Sequence, residues 1–242
     1  MGYTMSTDIS QAKRKAVEEA MKILLSFRRE VIGIGTGSTV DMFIDLMSSS
    51  SHLFIESYFV CASAYTCRRL SENGSNVLDI SNVDAIDVYI DGADEVDPEL
   101  NMIKGGGGAL TLEKIIASAA KTKIYIVDYT KLVKNLGEKH PIPIEVLPHA
   151  LSIVYRKLKE MDLNPSIRSS REGKYGFVVA DTGGIIIDIY PKTRIDPQSL
   201  NIKLKSLPGV IETGIFTKDL VDIVVVGYQD VVTISRKLIS DY

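Results

Sequence analysis

VIGIGTGSTVDMFIDLM, residues 31–47, is the stretch that decides the fold. Val31 to Ile34 is a four-residue apolar run closed by a glycine, the signature of a short buried strand. Gly35-Thr36-Gly37-Ser38-Thr39 is a tight turn, and Val40 to Met47 starts a helix. Strand, glycine turn and helix in that order form the first half of a βαβ unit. Glycines and hydroxyls at a helix N-terminus suit a phosphate, because backbone N–H groups converge there and the helix dipole favours negative charge. A dinucleotide fingerprint would need a third glycine where Val40 stands, and a P-loop would need a lysine that is absent. The turn therefore points to a phosphate monoester before NAD or ATP, and a plain βα turn with a Ser/Thr cap is the competing reading.

Working outward, the same texture recurs on both sides. Ser10 to Arg29 reads as an amphipathic helix, with Ala12, Ala16, Ala20, Ile23, Leu24 and Phe27 at helical spacing. Phe54 to Val60 reads as a strand and Ser63 to Glu72 as a helix. Val77 to Ile80 and Ala85 to Ile90 are short apolar runs, Leu110 to Ala120 a helix and Ile124 to Val127 a strand. This alternation predicts an α/β fold with a doubly wound, mostly parallel sheet. At Pro141, Pro143 and Pro148 the texture changes. Strands at Ile142–Leu147, Ser166–Ser170, Phe177–Ala180, Ile185–Tyr190 and Val210–Phe216, with helices at His149–Met161 and Asp196–Leu207, give the split βαβ, ferredoxin-like order. A strand at Asp222–Val226 and a helix at Asp230–Ser240 return to the first texture. The expected division is a Rossmann-like domain, 1–140 plus 218–242, holding a smaller α+β domain inserted at 141–217.

The chemistry concentrates in YIDGADEVDPELNMIKGGGGALTLEK, Tyr89 to Lys114. Asp91 arrives at the end of an apolar run, where open α/β sheets bind ligands. Asp94 follows after Gly92-Ala93, Lys104 precedes the four glycines Gly105 to Gly108, and Glu113 lies in the first turns of the next helix. Four adjacent glycines cost backbone entropy, so a chain that only had to fold would avoid them. They permit positive φ and close ligand approach, and their N–H groups can form an anion nest. Glu95, Asp97 and Glu99 read as a solvated acidic turn. A calcium loop at 91–102 fails, with Val96 at the glycine position and Met102 at the terminal glutamate position.

With 242 residues and a net charge of −3, the chain has enough apolar content for a real core and lacks the basic footprint of a nucleic-acid binder. No run is long enough to span a bilayer, and no signal peptide is visible, so a cytoplasmic enzyme with no membrane or nucleic-acid partner is expected. The start MGYTMS fits an N-myristoylation pattern that no polybasic patch supports. Cys61 and Cys67 are six apart, and the histidines His52, His140 and His149 are scattered, so no metal site is expected and the cysteines read as inert thiols in a reducing compartment.

Taken together, GIGTGST at 33–39, DGADE at 91–95, MIKGGGGALTLEKIIA at 102–117 and PIPIEVLP at 141–148 resemble the type A ribose-5-phosphate isomerases over nearly the whole length. The resemblance implies interconversion of ribose 5-phosphate and ribulose 5-phosphate in the non-oxidative pentose phosphate pathway, with no metal or redox cofactor. It implies Glu113 as catalytic base, with Asp91, Asp94 and Lys104 also in the catalytic set. It implies a substrate site lined by Thr36, Gly37, Ser38, Thr39, Asp91, Gly92, Ala93, Asp94, Lys104, Gly105, Gly106 and Gly107, with Lys131 at the phosphate. The family's bacterial members carry a serine triplet where this chain has Cys61-Ala62-Ser63, so only Ser63 keeps a hydroxyl. The expected partners are a small sugar phosphate and further copies of the chain, in a dimer or tetramer. Two other readings share parts of the pattern. Coenzyme A transferases also set a glycine-rich loop near a glutamate, used there as a nucleophile, and a sugar-phosphate sensor would keep the fold without turnover.

Overall fold

A computed structural model describes residues 4–170, 175–229 and 232–236. In chain order the elements are α1 Thr4–Leu25, β1 Val31–Ile34, α2 Ser38–Ser49, β2 Tyr58–Cys61, α3 Ala64–Glu72, β3 Asn76–Val77, β4 Ile86–Asp91, β5 Glu95–Val96, β6 Met102–Ile103, α4 Leu110–Ala119 and β7 Ala120–Asp128. Then follow β8 Ile142–Val146, α5 Leu151–Glu160, β9 Pro165–Ile167, β10 Ile185–Ile189, α6 Pro197–Lys205, β11 Val210–Thr213, β12 Ile215–Phe216, β13 Ile223–Gly227 and β14 Val232–Arg236. The described residues divide into two compact units, one within 4–93, 115–132 and 219–236, the other within 94–114 and 133–218.

The first unit is built on a seven-stranded sheet in the order β14-β13-β7-β4-β1-β2-β3. All neighbours pair in parallel except β13 with β14. Its strands are near-continuous apolar runs because both faces are covered. On one face Ala16, Ala20 and Leu24 of α1 and Phe43, Ile44 and Met47 of α2 pack with Ile32, Ile34, Val88, Ile90, Ile124, Ile126 and Val225. On the other, Gly33 and Tyr89 face Ile116 of α4. Each such buried aliphatic side chain stabilises the fold by roughly 1.5–3 kcal/mol. Winding reverses between β1 and β4, the position where sheets of this kind bind ligands beyond the strands' carboxyl ends.

The second unit holds an antiparallel sheet in the order β11-β8-β10-β9, which is the split βαβ arrangement predicted above. Val154 and Leu158 of α5 and Leu204 of α6 pack on Ile142, Ile144, Val146, Ile187 and Ile189. A small sheet, β12-β6-β5, had no counterpart in the sequence reading, since two-residue strands leave no periodicity to detect. The expected strand 210–216 is two strands. Gly214 separates them, donating to the Pro143 carbonyl at 2.7 Å and accepting from Lys104 N–H at 2.9 Å.

Several expectations are corrected. Residues 232–236 of the expected helix 230–240 are a strand paired antiparallel with β13, and the rest of that segment lies outside the described residues. Val232, Thr233 and Ile234 are β-branched, and that preference prevails over the helical periodicity. The strand expected from Phe54 begins only at Tyr58, after a 3₁₀ turn at Ser51–Leu53 and a further turn. Phe177–Ala180 makes isolated bridges, Ser169 with Phe177 and Val179 with Ile185, in place of a full strand. Cys61 and Cys67 form a disulfide. The turn from β2 into α3 brings their Cα atoms to 5.4 Å, within bridging range, a closeness that sequence spacing alone does not reveal.

Candidate active site

In the first unit the glycine turn and Asp91 come together at the reversal between β1 and β4. Gly35 N–H donates to the Ile90 carbonyl at 2.8 Å, tying the turn to the end of β4. A side chain at Gly35 would overlap the Asp91 carboxylate, so glycine is required there. Asp91 is fully buried. It accepts from Gly92 N–H at 2.7 Å and from the hydroxyl of Tyr89 two residues earlier on β4. Gly37 has φ 128° and precedes α2 without a side-chain cap, so the amides of Ser38 and Thr39 begin the helix. Ser63 caps α3 and also donates to the Thr36 hydroxyl at 3.1 Å, so the surviving hydroxyl of Cys61-Ala62-Ser63 supports the turn. Lys131 is half-buried on a 3₁₀ turn just after β7, and makes no hydrogen bond or ion pair with the other expected site residues among those described. Lys13 of α1, which nothing in the sequence marked, donates to Ser38 Oγ at 3.0 Å and brings a cation to the same turn.

In the second unit the remaining expected residues gather around the glycine loop. Lys104 and Glu113 are each 3% exposed, and Lys104 Nζ lies 3.3 Å from Glu113 Oε2. The Lys104 ammonium also stands 5.5 Å from the centre of the Phe216 ring. Gly105 turns the chain with φ 97°, and Gly108 N–H closes the turn on the Gly105 carbonyl at 2.9 Å. Asp94 is held at both ends, its N–H donating to the Ile103 carbonyl and its Oδ2 accepting from Gly106 N–H, each at 2.8 Å. Gly106 and Gly107 are exposed; Gly92 and Ala93, which belong to the first unit, are half-buried. A buried carboxylate beside a buried ammonium, next to a glycine loop whose backbone a ligand can approach closely, can move a proton and stabilise an adjacent oxyanion.

Three further groups, Lys114, Glu145 and Arg168, were given no role in the sequence reading because their partners are remote along the chain. Lys114 donates to Glu212, to the Thr213 and Ile215 carbonyls and to Thr213 Oγ1. Burial pulls its ammonium down to about 8, with the Glu212 carboxylate opposing. Glu145 is fully buried and accepts from the Thr111 and Thr182 hydroxyls and from Gly184 N–H. Arg168 forks onto Asp188 and reaches the glycine loop. Glu95 overturns the reading of a solvated acidic turn. It is fully buried and accepts from the N–H groups of Gly137, Lys139 and His140 at 2.5–2.6 Å, a cradle created by a loop 42 or more residues away. Asp97 instead caps its own turn by accepting from the Glu99 and Asn101 amides. No group of three or more His, Cys, Asp or Glu that could hold a metal ion occurs among the described residues.

Comparison with known proteins gives a concordant picture. The family model for ribose 5-phosphate isomerase A (phosphoriboisomerase A) matches residues 58–231. The curated ribose-5-phosphate isomerase A of Pyrococcus abyssi is 43% identical, covering 92% of this chain and 96% of its own. The solved structure of ribose 5-phosphate isomerase A from Methanocaldococcus jannaschii is 37% identical with a TM-score of 0.86, over 94% of this chain and 99% of that one. A D-ribose-5-phosphate isomerase structure in complex with phospho-erythronic acid is 40% identical with a TM-score of 0.88, over 95% of this chain and all of the other.

Proposed function

The chain belongs to the ribose-5-phosphate isomerase A family and interconverts D-ribose 5-phosphate and D-ribulose 5-phosphate, and we propose that it does so through an enediolate with Glu113 carrying the proton. Aldose–ketose isomerisation removes the proton on C2 and returns one to C1, and a single carboxylate poised over both carbons serves both steps. Such a base is worth roughly 10²–10⁴-fold. The observation that carries this reading is the buried ion pair, Lys104 Nζ at 3.3 Å from Glu113 Oε2. As the proton leaves, charge grows on the sugar oxygens, where Lys104 and the glycine-loop amides are the stabilising donors. Asp91 and Asp94 are assigned to ring opening and to proton traffic between O1 and O2. The turn Thr36-Gly37-Ser38-Thr39 and Lys131 are assigned to the phosphate, whose binding energy orients the reacting carbons.

We further propose a homo-oligomer, dimer or tetramer, working in the cytoplasm in the pentose phosphate pathway. Exposed Ile153 on α5 and Ile202 on α6 support self-association, which sedimentation measures directly. The Cys61–Cys67 bridge would be uncommon in the cytoplasm, and alkylation of freshly lysed cells followed by mass spectrometry of the peptide tests whether it persists there.

The test of the reaction is turnover in D₂O. Ribose 5-phosphate should yield ribulose 5-phosphate bearing some deuterium at C1, with no added cofactor. A thioester on Glu113 after incubation with acyl-coenzyme A, together with no conversion of ribose 5-phosphate, overturns the assignment.

A further inference from the structure

We propose that Arg168 is a positioning residue for the reaction, setting the glycine loop so that the Gly106 and Gly107 amides face the Asp94 side, an inference that rests on the isomerase reading above. Four consecutive glycines have no side chains to hold them, and Gly106 and Gly107 are exposed, so packing does not fix their peptide planes. Arg168 does. Its Nη1 donates to the Gly105 carbonyl at 2.9 Å and to the Gly106 carbonyl at 3.0 Å. The guanidinium is itself locked, because Nε donates to Asp188 Oδ2 at 2.8 Å and Nη2 to Asp188 Oδ1 at 2.5 Å. Both side chains are largely buried, at 16% and 10% exposed.

Peptide geometry does the rest. The peptides here are trans, so in each unit the carbonyl and the N–H point in opposite directions. Holding the Gly105 and Gly106 carbonyls on the guanidinium turns the N–H groups of Gly106 and Gly107 away from it. The first of these meets Asp94 Oδ2 at 2.8 Å. The second is thereby aimed to the same side. One cation behind the loop thus orients a catalytic carboxylate and a backbone donor without touching substrate. Lysine cannot replace it, since a single ammonium cannot fork onto Asp188 and reach two carbonyls in one plane.

The experiment compares wild type, Arg168→Gln and Arg168→Lys in the full chain. It measures kcat and KM for ribose 5-phosphate, the affinity for phospho-erythronic acid and the affinity for inorganic phosphate. A misplaced donor set costs roughly 10–100-fold in turnover. For Arg168→Gln the expected result is kcat lower by about that factor, weaker phospho-erythronic acid binding, and KM and phosphate affinity within threefold of wild type. Arg168→Lys keeps the charge without the fork and should also lose kcat by more than threefold, though less than Arg168→Gln. The proposal is overturned if folded Arg168→Gln keeps kcat within threefold, or if phosphate affinity falls in step with kcat, which marks general disruption. If Arg168→Gln does not fold, Arg168→Lys decides on the same criteria. Failure of both to fold assigns Arg168 to stability alone and also overturns it. Wild-type turnover measured alongside tests the isomerase reading separately.

Discussion

The two units bury charge in different ways. In the parallel-sheet unit, the buried aspartates sit on strands of the sheet and take up neighbouring backbone N–H groups: Asp87 holds Glu30 and Val31, Asp91 holds Gly92, and Asp128 holds Thr130, while the unit's cations Lys121 and Lys123 reach Asp87 and Asp222 from partly exposed positions. In the other unit, Glu95 and Glu145 are likewise held by N–H and hydroxyl groups, but largely buried cations are present as well, each paired with a carboxylate: Lys104 with Glu113, Lys114 with Glu212, Arg168 with Asp188. Amide-bound carboxylates stabilise their surroundings as part of the backbone network. Buried ion pairs are weak sources of stability, since desolvation offsets most of their attraction, but breaking one by removing a partner is costly. The first unit therefore resembles a scaffold that presents a turn, while the second carries Lys104–Glu113, a pair with both partners buried, whose retention is best explained by chemistry.

The largest effect that could break this contrast is at Lys104. Lys104→Met should cut kcat by at least ~10²-fold and destabilise the protein by roughly 3–5 kcal/mol, because Glu113 is left buried without its cation. Adding Glu113→Gln to it should restore most of the stability and none of the activity. If the double variant is as unstable as the single one in urea, the pair is structural and the contrast fails.

A smaller effect is expected from the first unit. Thr39→Ala and Lys131→Ala should each weaken binding of inorganic phosphate and raise KM by roughly tenfold, about 1.4 kcal/mol, with kcat and folding stability little changed. Unchanged phosphate affinity in both, by calorimetry, removes the turn from the phosphate site.

The smallest effect is a pH dependence at Lys114. Its ammonium is pulled to about 8, below the ordinary value of 10.5, so between those limits the unfolded chain binds the extra proton. Stability contributed here is lost as pH falls through 8 and grows as pH rises toward 10.5. Against Lys114→Met, wild type should gain about 1 kcal/mol in urea denaturation from about pH 7.5 to about pH 9. Parallel pH profiles for the two proteins would show that Lys114 is not buried as described.

The chain announces its local patterns and conceals its remote ones. β1 was legible to the residue because Val31 to Ile34 is an apolar run closed by Gly35. The Lys104, glycine and Glu113 set was legible because it lies within ten residues. By contrast, Arg168 reaches Gly105 across 63 positions, and Glu95 meets His140 across 45. No propensity or period encodes such a partner. The disulfide was missed for a related reason, since six residues of separation is short or long only once the turn between β2 and α3 is known.

The central claim is that Glu113 moves the proton, and it is tested most directly by the saturated turnover of Glu113→Gln in a coupled ribose 5-phosphate assay. The substitution keeps shape and hydrogen bonding while removing the base. The account predicts a folded protein that binds phospho-erythronic acid and inorganic phosphate, with kcat lower by about 10²-fold or more. A kcat within threefold of wild type would contradict it and take Glu113 out of the mechanism.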